Sequence, residues 1–507
     1  MISIYKTLSL VLLTAVFVVL MAGCNDTLRQ FIVPVPKPGG DPAALSHAII
    51  LSTNPAPLSN GSTMHIDVSG DTLVGVVTTG PTPVFLGKSA GRAYVINGNG
   101  TITTYIGLLP LSGTPHTVTQ PGSTSGTVAG GTSSSSNFYP VNSGSNDVSL
   151  ISSAVLAVIE TITVGSQPVA IAGNAANSKM YVVNNGSDNV TVISTADNTV
   201  VKTIPLPAGS QPIWGVMANN GVQVFIVNQG NGTVSVIDTN LDAVIPCTPG
   251  PFCNAGNGAI SVGASPNFAF YDSNRQRLYV SNTGSNTVSV IKADGIDLGV
   301  TPQILPGLLA NVTLSGAPVS VTALADGSRA YAALGGCPAG INHTSLPGNL
   351  ASCNGNQVSV IDAVGLRETK TIQVGPGAVS VDASSDSSRV YVVSAHDTTT
   401  IKDNNHNPGC SALPCTTTGG PCLVLPCLPG APLPDRIFPT TPSVSVIRTN
   451  SDSVLRYTTD PSVSSLVPTF LAPAQDPACA PAIDANFNKT FPMPCVGQLP
   501  FMVRTFP

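Results

Sequence analysis

Much of the chain is written in short runs that alternate apolar and polar residues, separated by turns of Asn, Gly, Ser and Asp. Residues 181–193 (YVVNNGSDNVTVI), 225–237 (FIVNQGNGTVSVI) and 279–291 (YVSNTGSNTVSVI) are three versions of one unit. A period of two puts alternate side chains on opposite faces of a strand, and the intervening small polar residues suit a tight reversal, so each unit predicts a β-hairpin. The same pattern recurs around Tyr94, Tyr139, Tyr331 and Tyr391. Successive leading aromatics are 45, 42, 44, 54, 52 and 60 residues apart.

Two further strands flank the hairpins. Upstream lies Gly-x-x-Pro or a variant of it, at Gly80/Pro83, Gly165/Pro168, Gly209/Pro212, Gly263/Pro266 and the shortened Gly316/Pro318. Downstream lie runs such as 160–165 (ETITVG) and 370–375 (KTIQVG). Four short strands in each unit of about 42 residues predict an all-β β-propeller of four-stranded blades. In such a blade the aromatic and Val positions fill the space between sheets. The Asn is expected to bridge backbone groups at the hairpin mouth, and the Gly to supply the positive φ of the turn. Residues 47–54, 64–68 and 72–78 read as strands two to four of a blade that lacks its innermost strand. Residues 497–507 (GQLPFMVRTFP) supply that strand, so the two ends share a blade and close the ring. Seven aromatic-led units and the shared blade make eight blades; seven is the alternative if the degenerate stretch 111–136 is miscounted.

The amino-terminal segment follows a different logic. Lys6, the apolar run from Leu8 to Met21 and the small residues before Cys24 make residues 1–23 an export signal. The sequence 20–24 (LMAGC) resembles a lipoprotein lipobox, which implies acylation of Cys24, cleavage after Gly23 and anchoring to a bilayer. The lipobox usually has Leu where Met21 stands. Asn25, rather than Asp, favours the outer membrane in a cell that has one. Residues 24–46, with VPVPKPGG at 33–40, form a Pro-rich tether, and the propeller occupies 47–507. Cys/Pro-rich insertions at about 398–440 and 461–496 are expected to project as loops from one face. Beyond Cys24, the ten remaining cysteines fall in local groups: Cys247 with Cys253, Cys337 with Cys353, Cys479 with Cys495, and Cys410, Cys415, Cys422 and Cys427 together. No C-x-x-C occurs, so loop-stapling disulfides in an oxidising compartment are expected rather than zinc. The pairing within the last group is open.

Composition narrows the function classes. Charged residues are only 9% of the chain and the net charge is −5, which excludes a basic nucleic-acid binder. A hydrophobic share of 42% excludes disorder as the general state. The motif Tyr-Val-x-Asn at Tyr94/Asn97, Tyr181/Asn184 and Tyr279/Asn282, varied at Tyr139/Asn142 and Phe225/Asn228, resembles the YVTN-repeat β-propellers of bacterial and archaeal surface and periplasmic proteins. Tyr331 and Tyr391 depart from it. The resemblance spans about 47–460 and the final dozen residues, and it implies architecture rather than activity.

Catalytic signatures are sparse. Residues 87–91 (GKSAG) match a nucleophile elbow in letters, but they join two strands where the elbow needs a strand and a helix. Asp403, Asn405 and Asn407 alternate as at the start of a calcium loop; Pro408 and Leu413 stand where an EF-hand has Gly and Glu, so a polar turn is the simpler reading and calcium the alternative. No catalytic residue and no cofactor is assigned. The function expected is a membrane-anchored cell-envelope scaffold, more a binder than an enzyme, that holds a protein or glycan through loops on one face. The alternatives are a propeller enzyme with its site at the central funnel, such as a lactonase-like hydrolase or a quinone-dependent dehydrogenase, and a component of envelope assembly.

Overall fold

A computed structural model describes residues 47–53, 60–68, 72–89, 91–106, 115–119, 131–134, 137–173, 178–218, 221–245, 253–254, 258–293, 306–337, 353, 355–375, 377–394, 443–454, 482–483, 489–490 and 499–506. Eight antiparallel sheets stand around a common axis. Their innermost strands, from blade 1 to blade 8, are Leu499–Phe506, Pro83–Ser89, Gly131–Ser133, Pro168–Ala172, Pro212–Met217, Pro266–Asp272, Ser320–Ala323 and Ala378–Ala383. Each touches the next, and blade 8 touches blade 1, so the ring is closed. Blade 1 is the shared one. Leu499–Phe506 pairs with His47–Thr53, which pairs with Asn60–Asp67, which pairs with Thr72–Pro81. The degenerate stretch contributes Gly131–Ser133 to a full blade, which makes the count eight.

Alternation sets the core. Ala48 to Leu51, Tyr94 to Ile96, Tyr181 to Val183 and Tyr279 with Val280 are all fully buried, because both faces of a second strand lie against a neighbouring sheet. The large apolar residues therefore continue through successive positions in these strands, while the outermost strands, such as Val200–Pro205, are mostly exposed.

The repeated polar residues work differently from their sequence expectation. Asn184 Nδ2 donates to Asn189 Oδ1 at 2.8 Å and to Thr191 Oγ1 at 2.9 Å. Asn97, Asn142, Asn228 and Asn282 make the same fork to side chains four to seven residues on, in the third strand. The Asn thus bridges side-chain oxygens across the hairpin rather than backbone groups. The positive φ of that turn falls on Asn146, Asp188 and Asn286, with Gly at this place only in Gly100 and Gly232. Gly165 serves close approach instead: a Cβ there would lie 2.7 Å from the Asn184 amide.

The leading Tyr also joins neighbouring blades. Tyr181 Oη donates to Asp242 Oδ1 at 2.7 Å, and Lys179 Nζ reaches Asp242 Oδ2 at 2.7 Å. Three blades on, Tyr331 and Arg329 hold Asp452 in the same way. Burial and the Asp242 carboxylate push the Tyr181 phenol well above its ordinary range.

Blades 1 and 2 meet through a buried imidazole. His65 Nε2 lies 2.9 Å from Tyr105 Oη, which also lies 2.6 Å from Thr63 Oγ1, and the His65 ring stacks on His47 at 5.5 Å. Burial, then the neighbouring His47, lowers the His65 pKa to about 3 from 6.5. The folded state therefore keeps the ring neutral. Its contribution is complete above about pH 6.5 and is lost as the pH falls toward 3, at up to about 1.4 kcal/mol per unit. Glutamine keeps a partner for Tyr105 and does not titrate. Wild type and His65→Gln should therefore converge in melting temperature between pH 7 and 4.5, the wild type losing more. Parallel acid profiles in differential scanning fluorimetry would contradict this assignment.

Candidate functional site

The ring has two unlike faces. At the upper rim lie the Asn-bearing turns between strands two and three and the entries to the inner strands, since Pro168 pairs with Asn184 and Leu499 with Thr53. At the lower face lie the turns between strands one and two and between three and four. Two long interruptions, in blades 7 and 8, leave and rejoin at the upper rim: from Leu334 to Gln357 and from Ser394 to Ser443. A third leaves near the lower end of blade 8, where Val454 pairs with Ile447, and rejoins at the upper rim at Leu499. Antiparallel pairing makes the first two unavoidable, because Leu334 faces Gln357 and Ser394 faces Ser443 across their ladders.

The first interruption is stapled at its base. Cys337 and Cys353 form the expected disulfide, with Cα atoms 4.1 Å apart, and both are buried. Cys24, Cys247, Cys410, Cys415, Cys422, Cys427, Cys479 and Cys495 lie outside the described residues, as do Asp403, Asn405 and Asn407. Cys253 belongs to the short strand Cys253–Asn254. Among the described residues no group of three or more His, Cys, Asp or Glu is placed to hold a metal ion. The GKSAG stretch ends Pro83–Ser89 and turns at Gly91, φ 74°, into Arg92–Asn97, as a hairpin turn. Gly87 is there for room, since a Cβ would meet the Phe138 ring at 2.7 Å.

One inner strand carries a residue that sequence reasoning passed over. Trp214, the only tryptophan, lies in the inner strand of blade 5. The ladder shifts register between Pro212 and Trp214, as it does after Pro83, Pro168 and Pro266. Gln211, just before the proline, takes φ 42°. Such a bulge increases local twist and re-aims the following side chain. The indole Nε1 donates to Ala269 O at 3.2 Å, and its ring lies 5.2 Å from that of Phe268 in blade 6. It also packs against the hydrophobic cluster that runs through blades 7, 8, 1, 2 and 3, so this half-buried indole links several blades from its inner strand.

Toward the lower face, polar groups gather on blades 7, 8 and 1. Asp382 Oδ2 accepts from Thr505 N at 2.8 Å and Thr505 Oγ1 at 3.3 Å, and Asp382 Oδ1 from Ala383 N at 3.1 Å and Thr322 Oγ1 at 3.4 Å. Arg504 is its charged neighbour. Burial raises the Asp382 pKa against the opposing pull of Arg504, and burial lowers that of Arg504. Ser320 Oγ accepts from Val381 N, and Ser380 Oγ from Val503 N at 3.2 Å. Each acceptor side chain thus reaches a backbone amide of the next blade. With its oxygens spent on neighbouring amides and hydroxyls, Asp382 stitches the ring rather than presenting a free carboxylate for acid–base chemistry.

No family model matches the chain, and no curated protein is similar to it. Among solved structures, the dihydro-haem d1 dehydrogenase NirN, in complex with DHE, is 11% identical with a TM-score of 0.54, over 83% of this chain and 74% of that one. The periplasmic gluconolactonase PpgL of Pseudomonas aeruginosa is 15% identical with a TM-score of 0.45, over 65% and 97%. Hydrazine synthase of Kuenenia stuttgartiensis is 16% identical with a TM-score of 0.45, over 62% and 93%. At such identities the likeness is one of fold.

Proposed function

We propose that this chain is a lipid-anchored cell-envelope propeller of the YVTN-repeat type, acting as a non-catalytic scaffold that binds a protein or glycan through loops on one face. Acylated Cys24 attaches it to a bilayer, the outer membrane where the cell has one, and the Pro-rich tether joins lipid to ring. The observation that carries the binding role is the grouping of two long interruptions on the upper rim of the adjacent blades 7 and 8, with a third rejoining beside them at Leu499. Connections on one rim place variable loops side by side over a rigid support, the arrangement binding surfaces use.

Replacing residues 395–442 with an Asn-Gly turn should leave the melting temperature within a few degrees of wild type. It should also abolish co-sedimentation of the purified protein with isolated peptidoglycan sacculi, or its crosslinking to detergent-extracted envelope proteins. Retention of both interactions by the shortened ring would remove the rim from the account. A stoichiometric metal or quinone on the purified protein would favour the propeller-enzyme alternative instead.

A further inference from the structure

Three features converge on the lower face, and the chain arrives there. Strand His47–Thr53 begins at that face, where His47 pairs with Asp67 and Phe506. The chain therefore enters the ring on the side opposite the ends of the interruptions within blades 7 and 8.

The large apolar side chains that stand exposed among the described residues all lie in this lower half. The most exposed are Val155 at 65%, Leu241 at 60% and Val364 at 67%, each at the tip of a turn between strands three and four, in blades 3, 5 and 7. These tips are held in place. Ser152 Oγ accepts from Ala154 N, Asp238 Oδ1 from Asn240 N and Leu241 N, and Asp362 Oδ1 from Val364 N. The turns close through Leu156, Asp242 and Leu366 at φ 52°, 47° and 49°. Two of these are leucines in the left-handed region, an uncommon conformation for a branched side chain. Three braced turns that each push an aliphatic side chain into solvent are a poor solution for a face meant only for water.

Charge is distributed the same way. Within the eight blades the described Lys and Arg lie in the lower half of the ring: Arg92, Lys179, Arg277, Arg329 and Arg389 open second strands there. Lys202 and Arg367 stand exposed beside the tips, Lys202 Nζ donating to Leu241 O at 3.1 Å. The carboxylates of the same turns face inward: Asp238 and Asp362 onto backbone amides, Asp242 onto Tyr181 and Lys179. Exposed Asp197, Asp326 and Asp386 stand on other turns of this face, so its charge is mixed. Aliphatic tips with an exposed cation beside them, on the face where the chain enters the ring, fit a surface that is apolar inside and carries phosphates at its boundary.

We propose that the lower face rests on a phospholipid bilayer, with Val155, Leu241 and Val364 in the headgroup region and Lys202 and Arg367 against lipid phosphates. This builds on the lipid-anchor reading and adds an orientation, in which the upper rim points away from the membrane. Trp214 provides the internal control, because it sits on an inner strand and packs against blade 6. The lipidated full-length protein is reconstituted into phosphatidylcholine/phosphatidylglycerol vesicles, with and without acyl-chain bromination. It is compared with Leu241→Trp, Val364→Trp and, on the upper rim, Asn99→Trp. Bromolipid should at least halve the added emission of Leu241→Trp and Val364→Trp and leave Asn99→Trp and wild type unchanged. Vesicle-bound protein whose tips are unquenched, whether free in water or buried in a dimer, overturns the orientation and leaves the anchor standing. Protein that fails to float with vesicles overturns both.

Discussion

Removal of residues 497–507 will cost the protein most of its stability, although truncation at an extreme terminus is ordinarily harmless. Leu499–Phe506 is the innermost strand of blade 1 and pairs along the whole of His47–Thr53. Val503 is fully buried and Met502 nearly so. Their burial alone stabilises by about 1.5–3 kcal/mol each. The loss also strips Asp382 of the Thr505 amide and of its Arg504 neighbour, and Ser380 of the Val503 amide. A buried carboxylate stripped of its partners costs about 3–5 kcal/mol more. Together these approach the whole ~5–15 kcal/mol of a typical domain. The truncated protein should therefore aggregate or melt far below wild type in a thermal scan, whereas deletion of 25–41 leaves the melting temperature in place. A truncated ring that melts like the full chain would make the C-terminus a tail.

Trp214→Ala should be the most damaging single substitution in the inner strands, at about 3–5 kcal/mol. The indole packs against four hydrophobic clusters that together run through several blades, so its loss opens a cavity between them. Phe at this position keeps most of the volume and loses the Nε1 bond to Ala269 O, a net cost of about 1 kcal/mol. Chemical denaturation followed by circular dichroism separates the two. Equal, small effects of Ala and Phe would mean that the indole does not link these clusters.

The ring was largely legible in the sequence because its blades repeat. The Asn–hydroxyl forks have fixed offsets, as in Asn184 with Thr191 and Asn282 with Ser289, so any one blade announces the others. The split blade was legible because 497–507 copies the Gly-x-x-Pro opening. Contacts between blades were not. Tyr331 meets Asp452 only after the chain has gone round another blade, and Asp382 meets Thr505 only because the ring closes. Both depend on distance along the ring rather than on local pattern. A faint signal for the second existed: single charges interrupt the apolar runs AVSVDA and LPFMVRTF. Trp214 could have been noticed as a lone Trp two residues after the recurring Pro, but its direction is set by a register shift that no local periodicity encodes.

Hydrogen exchange at the last strand tests the closed ring most directly. Each amide of Leu499–Phe506 that is bonded into blade 1 or to blade 8, Val503 and Thr505 foremost, should exchange as slowly as those of His47–Thr53 and Ala378–Ala383. All should become labile together at the denaturant concentration that unfolds the protein. Exchange of residues 499–506 within seconds under native conditions, while the other blades stay protected, would contradict a ring closed by its own two ends.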